Sequence, residues 1–250
     1  MLELVHVEKS YDRNPVLKDI NLSIDDGEIV SILGPSGCGK TTLLNIILGI
    51  TPITSGKLIY NGTDITKLPM EKRGFNIVFQ DYALFPNLDV KGNIRYGLRN
   101  NPNISTPQEV EDLIDLLNLR EHLDKSIHQL SGGQKQRVAL ARTMVMKPKV
   151  LLLDEPLSAL DGIIKEQIKE RIHTIAKQFQ LTTIIVTHDP EEALTLSDKV
   201  IILSDGRVEQ YSSSQDIITN PQTDFVKDFI IQQLQVKRSN IIGLFDERAV

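Results

Sequence analysis

The stretch EIVSILGPSGCGKTTLLNIILGI, residues 28–50, decides the fold. A short apolar run ends at Leu33, a loop holding Gly34, Gly37 and Gly39 follows, and a helix-like apolar pattern starts at Thr41. Short apolar runs bounded by turn residues read as buried strands, and apolar residues at three- or four-residue spacing read as one face of a helix. The alternation returns downstream, where NIVFQ ends at Gln80, VLLLD at Asp154 and TTIIVTH at His188. Each of these three residues is therefore expected to end a strand. Ile164, Ile168, Ile172, Ile175 and Phe179 recur at helical spacing between the last two runs. Buried strands alternating with amphipathic helices predict an α/β fold on a largely parallel sheet covered on both faces.

Two regions break the alternation. Residues 81–129 hold no convincing strand, only the loop-forming NNPNISTP and the helix-like QEVEDLIDLLNL, so an inserted helical subdomain of about residues 81–135 is expected. KVIILSDGRVEQY reads as a hairpin turning at Asp205 and Gly206. FVKDFIIQQLQ reads as a terminal helix, which gives one domain over residues 1–230 and a short tail over 231–250 with no separate regulatory domain. Hydrophobic residues at 40% and charged residues at 24% are ordinary globular usage. A net charge of −5 gives no argument for nucleic acid or an anionic membrane. The single cysteine, Cys38, excludes an internal disulfide and fits a reducing compartment. The N-terminal residues carry charges at Glu3, Glu8 and Lys9 and do not read as a secretion signal. The longest apolar runs fall far short of the roughly 20 residues a membrane-spanning helix needs, so any membrane connection is expected through another chain.

GPSGCGKTT, residues 34–42, matches G-x-x-x-x-G-K-[ST] and lies between a strand and a helix, where that pattern has its physical meaning. Glycines let the backbone curl so that successive N–H groups face phosphate oxygens. The loop residues Gly34, Pro35, Ser36, Gly37, Cys38, Gly39, Lys40, Thr41 and Thr42 are thus candidates to hold a nucleotide. Lys40 is expected to reach its phosphates and Thr41 to place a hydroxyl on Mg²⁺. Cys38 reads as a spacer without chemistry of its own, although a thiol beside phosphate suggests sensitivity to alkylation. VLLLDEP supplies Asp154 as a carboxylate for the metal and Glu155 as a general base. Successive strand side chains point to opposite faces, so the two acids share a site only if the ladder ends between them; Pro156 helps to end it. LSGGQKQRVALAR, residues 130–142, opens a second helix with a glycine pair, a second ready anion site.

Taken together these residues resemble the ATP-binding cassette (ABC) ATPases, the motor subunits of membrane transporters, over nearly the whole chain. LSGGQ is similar to that family's signature, SALD at residues 158–161 to its D-loop, Gln80 in FQDYALFP to its Q-loop, and His188 in IVTHD to its switch histidine. The resemblance implies a P-loop NTPase fold with a parallel core sheet, an N-terminal antiparallel β part and an inserted helical subdomain. It further implies ATP and Mg²⁺, with two cassettes head to tail so that the signature of one closes over the nucleotide of the other. Ser131, Gly132, Gly133, Gln134 and Asp161 would then act across a dimer, with a second copy of the chain as the partner. Tyr11 is similar to the aromatic that stacks on adenine. Gln80 would sense the metal or the attacking water, and His188 would hold the γ-phosphate, Glu155 and the water in register.

DYALFPNLDVKGN lies where the family meets a permease, and Tyr82, Phe85 and Leu88 are expected to be exposed there as a protein interface, the alternative being that they pack into the helical subdomain. FQDYALFPNLDV resembles the importer ATPases for polyamines, ferric iron, maltose and sulfate, which implies transmembrane permease subunits and, indirectly, a solute-binding protein. The chain would then sit in the cytoplasm on the inner face of the membrane. One departure is the lack of the C-terminal regulatory domain that many such ATPases carry. An exporter ATPase is the nearer alternative. A soluble, nucleic-acid-linked ABC ATPase fits less well, because only about ninety residues separate Lys40 from Ser131 and no sustained heptads occur. A P-loop GTPase is disfavoured because no N-K-x-D sequence is present.

Overall fold

The computed structural model describes residues 1–158 and 162–246 and resolves them into two sheets. β1 (Leu2–Tyr11) and β2 (Asn14–Ile24) form a hairpin. Its turn residues, Asp12 and Arg13, both take positive φ, 47° and 71°, the backbone that matches strand twist in a two-residue turn. The chain then enters β3 (Ile29–Leu33) and α1 (Lys40–Leu48) before returning to the hairpin through β4 (Ser55–Tyr60) and β5 (Thr63–Asp64). This first sheet is antiparallel, in the order β2-β1-β4-β5.

After α2 (Met70–Arg73) comes β6 (Phe75–Val78), then the helical stretch α3 (Val90–Ile94), α4 (Pro107–Leu116) and α5 (Gly132–Met144). β7 (Val150–Asp154), α6 (Gly162–Gln178), β8 (Thr182–Thr187), α7 (Pro190–Leu196), β9 (Lys199–Ser204) and β10 (Arg207–Ser213) complete the second sheet, whose order is β10-β9-β3-β8-β7-β6. Its strands run parallel except β10, which pairs antiparallel with β9 through the Asp205–Gly206 turn.

The apolar runs work as strands because alternate residues feed opposite cores. Leu151 and Leu153 of β7 and Ile185 of β8 pack with α3 to α6, whereas Val150, Leu152, Ile184 and Val186 pack with α1 and the first sheet. Each such fully buried side chain contributes about 1.5–3 kcal/mol relative to leaving it in water. The order of strands has a consequence for function. β3, β8, β7 and β6 are successive neighbours and parallel, so the segments leaving their C-terminal ends, which carry Gly34, His188, Glu155 and Gln80, emerge side by side.

Among the described residues, 81–129 holds helices, 3-10 turns and one isolated bridge between Asp89 and Ser126, and no strand. α4 begins with a reciprocal cap, in which the Thr106 hydroxyl accepts from Glu109 N–H and the Glu109 carboxylate accepts from Thr106 N–H. Four details differ from the sequence reading, the first being that β8 stops at Thr187, so His188 lies just beyond it. β6 stops at Val78, so Gln80 lies in the turn beyond it. Phe179 falls just past the end of α6 and is exposed. Tyr82 is only 8% exposed, and Phe85 and Leu88 are half-buried rather than open to solvent.

The last of these has a local cause. Arg142 of α5 donates to the carbonyls of Tyr82 and Ala83 at 2.9 and 2.6 Å. Asn93 of α3 accepts from Phe85 N–H and donates to the carbonyls of Phe85 and Leu88. The segment folds back because its backbone finds partners there. At the C-terminal end, α8 (Ser214–Thr219) and α9 (Asp224–Val226) lead through a π-helical stretch, Lys227–Gln232, into α10 (Gln233–Asp246).

Candidate functional site

The loop after β3 is built by close backbone approach. A Cβ on Gly34 would lie 2.1 Å from the carbonyl oxygen of Leu203 and 2.7 Å from Cys38 Sγ, so only glycine fits. Gly39 caps α1 with φ of 108°, in the left-handed region where an L side chain is strained, and α1 has no side-chain cap. Its first N–H groups therefore remain available to an anion. Lys40 is 8% exposed, and its ammonium donates to the carbonyls of Gly34 and Pro35 at 2.7 and 2.9 Å. Cys38 is buried, and burial pushes its thiol up, against the opposing charge of Lys40. A buried thiol held neutral is a poor target for alkylation, so the suggested sensitivity is not supported.

Both sheets grip this loop. Val16 and Leu17 of β2 lie against Gly39, Gly206 N–H donates to Cys38 O at 3.2 Å, and Lys18 N–H donates to Gly206 O at 2.8 Å. Tyr11 pairs with Asn14 at the hairpin tip, two residues from Val16 and hence about 7 Å along the strand. Its ring is 46% exposed beneath Lys9 Nζ, 4.6 Å from the centroid. Ser36, Gly37 and Thr41 are exposed, and Pro35 and Thr42 half-buried, along the open side of the loop.

Asp154 ends β7, and the next residue solves the two-acid problem. Glu155 takes φ of +46°, a left-handed conformation that costs a non-glycine residue about 1–2 kcal/mol. Its N–H still donates to Val186 O at 2.9 Å, while its carboxylate turns away from the ladder. There Oε1 lies 3.2 Å from His188 Nδ1 and Oε2 lies 3.4 Å from Gln80 Nε2. Ser158, assigned no role of its own from sequence, completes the cluster: its hydroxyl donates to Glu155 O at 3.0 Å and accepts from Gln80 Nε2 at 3.4 Å. Burial raises the Asp154 carboxyl above its usual range, the Glu155 charge adds to this, and Lys40 opposes it. A half-buried carboxylate held at this cost suits a cation partner. No group of three or more His, Cys, Asp or Glu converges on one point among the described residues.

The signature residues lie elsewhere. Ser131 caps α5: its hydroxyl accepts from Gln134 N–H at 3.3 Å, and Gln134 Oε1 accepts from Ser131 N–H at 2.8 Å. Gln134 Nε2 in turn meets His122 Nε2 at 3.1 Å, a contact with no signal in the residue pattern. Ser131, Gly133 and Gln134 border a cleft of about 610 Å³, shared with Arg137 of α5 and with Ile164 and Arg171 of α6 and lined by no residue of the 34–42 loop. The structure thus brings Gln80, Glu155 and His188 together and leaves the signature on a separate cleft. Asp161 lies outside the described residues. The S-x-x-Q spacing of Ser131 and Gln134 is a capping-box pattern, and it was the available signal for the cap.

The ABC transporter family profile matches residues 17–158. The spermidine/putrescine import ATP-binding protein PotA of Haemophilus influenzae is 44% identical over 252 residues, covering 100% of this chain and 68% of that protein. PotA of Mesoplasma florum is 45% identical over 251 residues, covering 99% of this chain and 70% of its own length. Among solved structures, CbiO1 of Clostridium perfringens, part of an ABC transporter complex, superposes with a TM-score of 0.81 at 29% identity over 98% of both chains. The dimeric ATP-binding cassette MJ0796 bound to ADP and phosphate superposes with a TM-score of 0.74 at 32% identity over 86% of this chain and 99% of that one. With half its length inside the family profile and full-length relatives at this identity, the chain belongs to the ABC transporter family and is one of its ATPases.

Proposed function

We propose that this chain is the ATP-hydrolysing subunit of a membrane importer, that it works as a dimer on separate permease chains, and that the cargo is a polyamine such as spermidine or putrescine. Glu155 carries the catalytic part of this reading, placed by its left-handed backbone between His188 and Gln80 beside the phosphate loop. The names of the relatives support the direction and the cargo, and they do not favour the exporter alternative.

In this reading the N–H groups of the 34–42 loop and the Lys40 ammonium bind the ATP phosphates, and Tyr11 stacks on the base. Glu155 accepts a proton from the attacking water, while His188 and Gln80 fix the carboxylate's orientation, so catalysis is positioning and electrostatics. Thr41, Asp154 and Gln80 would hold Mg²⁺, which would supply positive charge against the phosphate oxygens. Ser131, Gly132 and Gly133 of a second copy, with Gln134 holding their cap and Asp161 beside them, would close the open side. ATP held by the loop of one chain then bridges it to the second, and hydrolysis removes that bridge. Such a ligand shifts the open–closed equilibrium by its differential affinity, and the permease reads the shift.

Glu155→Gln tests the catalytic claim: ATP binding should persist while kcat falls about 10²–10⁴-fold, the usual worth of a general base. Normal turnover would remove Glu155 from the role. The cargo is tested by purifying the chain with its membrane partner and adding spermidine with the cognate binding protein, which should stimulate hydrolysis. A preparation that responds to another solute and not to polyamines would refute that part alone.

A further inference from the structure

His188 is 59% exposed at its side chain, which meets Glu155, yet the backbone on either side of it is tightly tied. Thr187, buried at 2% exposure, uses one hydroxyl twice: it donates to Glu192 Oε2 at 2.6 Å and accepts from Asp189 N–H at 3.1 Å. Both chain neighbours of His188 are therefore fixed through a single oxygen. Glu192 of α7 is 6% exposed, and its other oxygen lies 2.5 Å from Lys165 Nζ. Lys165 also reaches Asp189 Oδ2 at 3.3 Å.

Burying the Glu192 carboxylate against a half-buried ammonium is an expensive way to pack a helix, because desolvation offsets much of the attraction. Helix α7 does not need it to form. Asp189 already caps the helix by accepting from Glu191 N–H at 2.9 Å, and Pro190 occupies its first position. The pair does something else: it ties the first turn of α6, which follows the D-loop-like segment directly, to the loop that carries His188. Burial alone would lower the Lys165 ammonium, but its bonds to Glu192 and Asp189 outweigh burial and hold it above the usual lysine range.

We infer that Lys165, Glu192 and Thr187 are positioning residues for His188, and through it for Glu155, so that the placement of α6 sets the rate of hydrolysis without touching nucleotide. The inference rests on the proposed role of His188. A shift at the start of α6 would pass through Lys165 and Glu192 to Thr187 and alter the angle at which the imidazole meets Glu155.

The test is a double-mutant cycle in the purified full chain with MgATP, read by single-turnover hydrolysis beside ATP binding and melting temperature. Thr187→Val and Lys165→Met should each lower the hydrolysis rate about tenfold, with ATP affinity within about twofold, and Lys165→Arg should restore most of the rate. His188→Ala should cost more, and adding Thr187→Val to it should cost less than about twofold further, because residues acting through one group are not additive. A multiplicative loss in the His188→Ala background would overturn the inference and leave His188 its role. A His188→Ala chain with full activity would remove both. A drop in melting temperature with unchanged hydrolysis would show that the charge pair serves stability alone, and would also overturn it.

Discussion

The helices α1 and α5 both open on glycine, yet their ends are made differently. α1 begins at Gly39 with no side-chain cap, inside a loop that both sheets grip and that admits no Cβ at Gly34. α5 begins at Ser131 inside a reciprocal cap made by Ser131 and Gln134, and it faces a cleft that the phosphate loop does not line. The first end leaves its donors unspent and rigidly aimed, which suits a site that must bind by itself. The second has already satisfied part of its own N-terminus, so it keeps its shape alone and offers only what remains, the N–H groups near Gly132 and Gly133. On the proposed reading, one helix end is the binding site and the other a preformed lid.

Mixing chains tests this division with an all-or-none outcome. Lys40→Ala and Ser131→Arg homodimers should both be inactive, whereas a mixed dimer has one composite site with neither change and should recover hydrolysis well above either parent. Recovery absent at every ratio would mean that each chain closes its own site or that turnover needs both sites intact.

The glycines give the next largest effect. Gly34→Ala drives a Cβ into a backbone carbonyl at 2.1 Å and should abolish nucleotide binding by the single chain. Gly133→Ala meets a side-chain methyl, Ile164 Cγ2 at 2.8 Å, on a cleft that the phosphate loop does not line. Isothermal titration should therefore find single-chain nucleotide affinity within a few-fold of the parent for Gly133→Ala. Equal losses at the two positions would erase the distinction between site and lid.

Two smaller effects separate function from stability. Asp154 is held above its usual pKa by burial and by Glu155, so its ionised form costs folding free energy. That cost is absent below the unfolded carboxyl value, appears as pH rises through it, and is complete above the raised folded value. Asp154→Asn in chelator should thus raise the melting temperature at neutral pH, with the gain vanishing in acid, while hydrolysis is lost. A variant that melts below the parent at pH 7 would show that the carboxylate is not strained. Ser131→Ala removes only a cap, worth about 1 kcal/mol, and should lower the melting temperature by about 2–4 °C without changing nucleotide binding by the single chain.

The glycine loop and the apolar runs were legible because their information is local: spacing, periodicity and a motif between a strand and a helix. The hairpin at Asp205–Gly206 was legible for the same reason. Tyr82 was misjudged because the groups that draw its segment inward, Arg142 and Asn93, come from helices that sequence order does not bring together. The contact between Gln134 and His122 was missed because it joins two segments through side chains with no shared pattern.

By itself the sequence determined the buried strands of the core sheet and its hairpin, that a phosphate loop follows the strand ending at Leu33, and that Asp154, Glu155, Gln80 and His188 lie near strand ends, since short-range sterics and hydrophobic period act within a few residues. Only the tertiary structure decided that β3, β8, β7 and β6 are neighbours, that Glu155 turns out of its ladder between His188 and Gln80, and that Ser131 opens on a different cleft. Strand order and side-chain convergence are set by the packing of residues far apart in the chain, such as Gln80 and Glu155 at 75 positions, and such contacts leave no period in the chain.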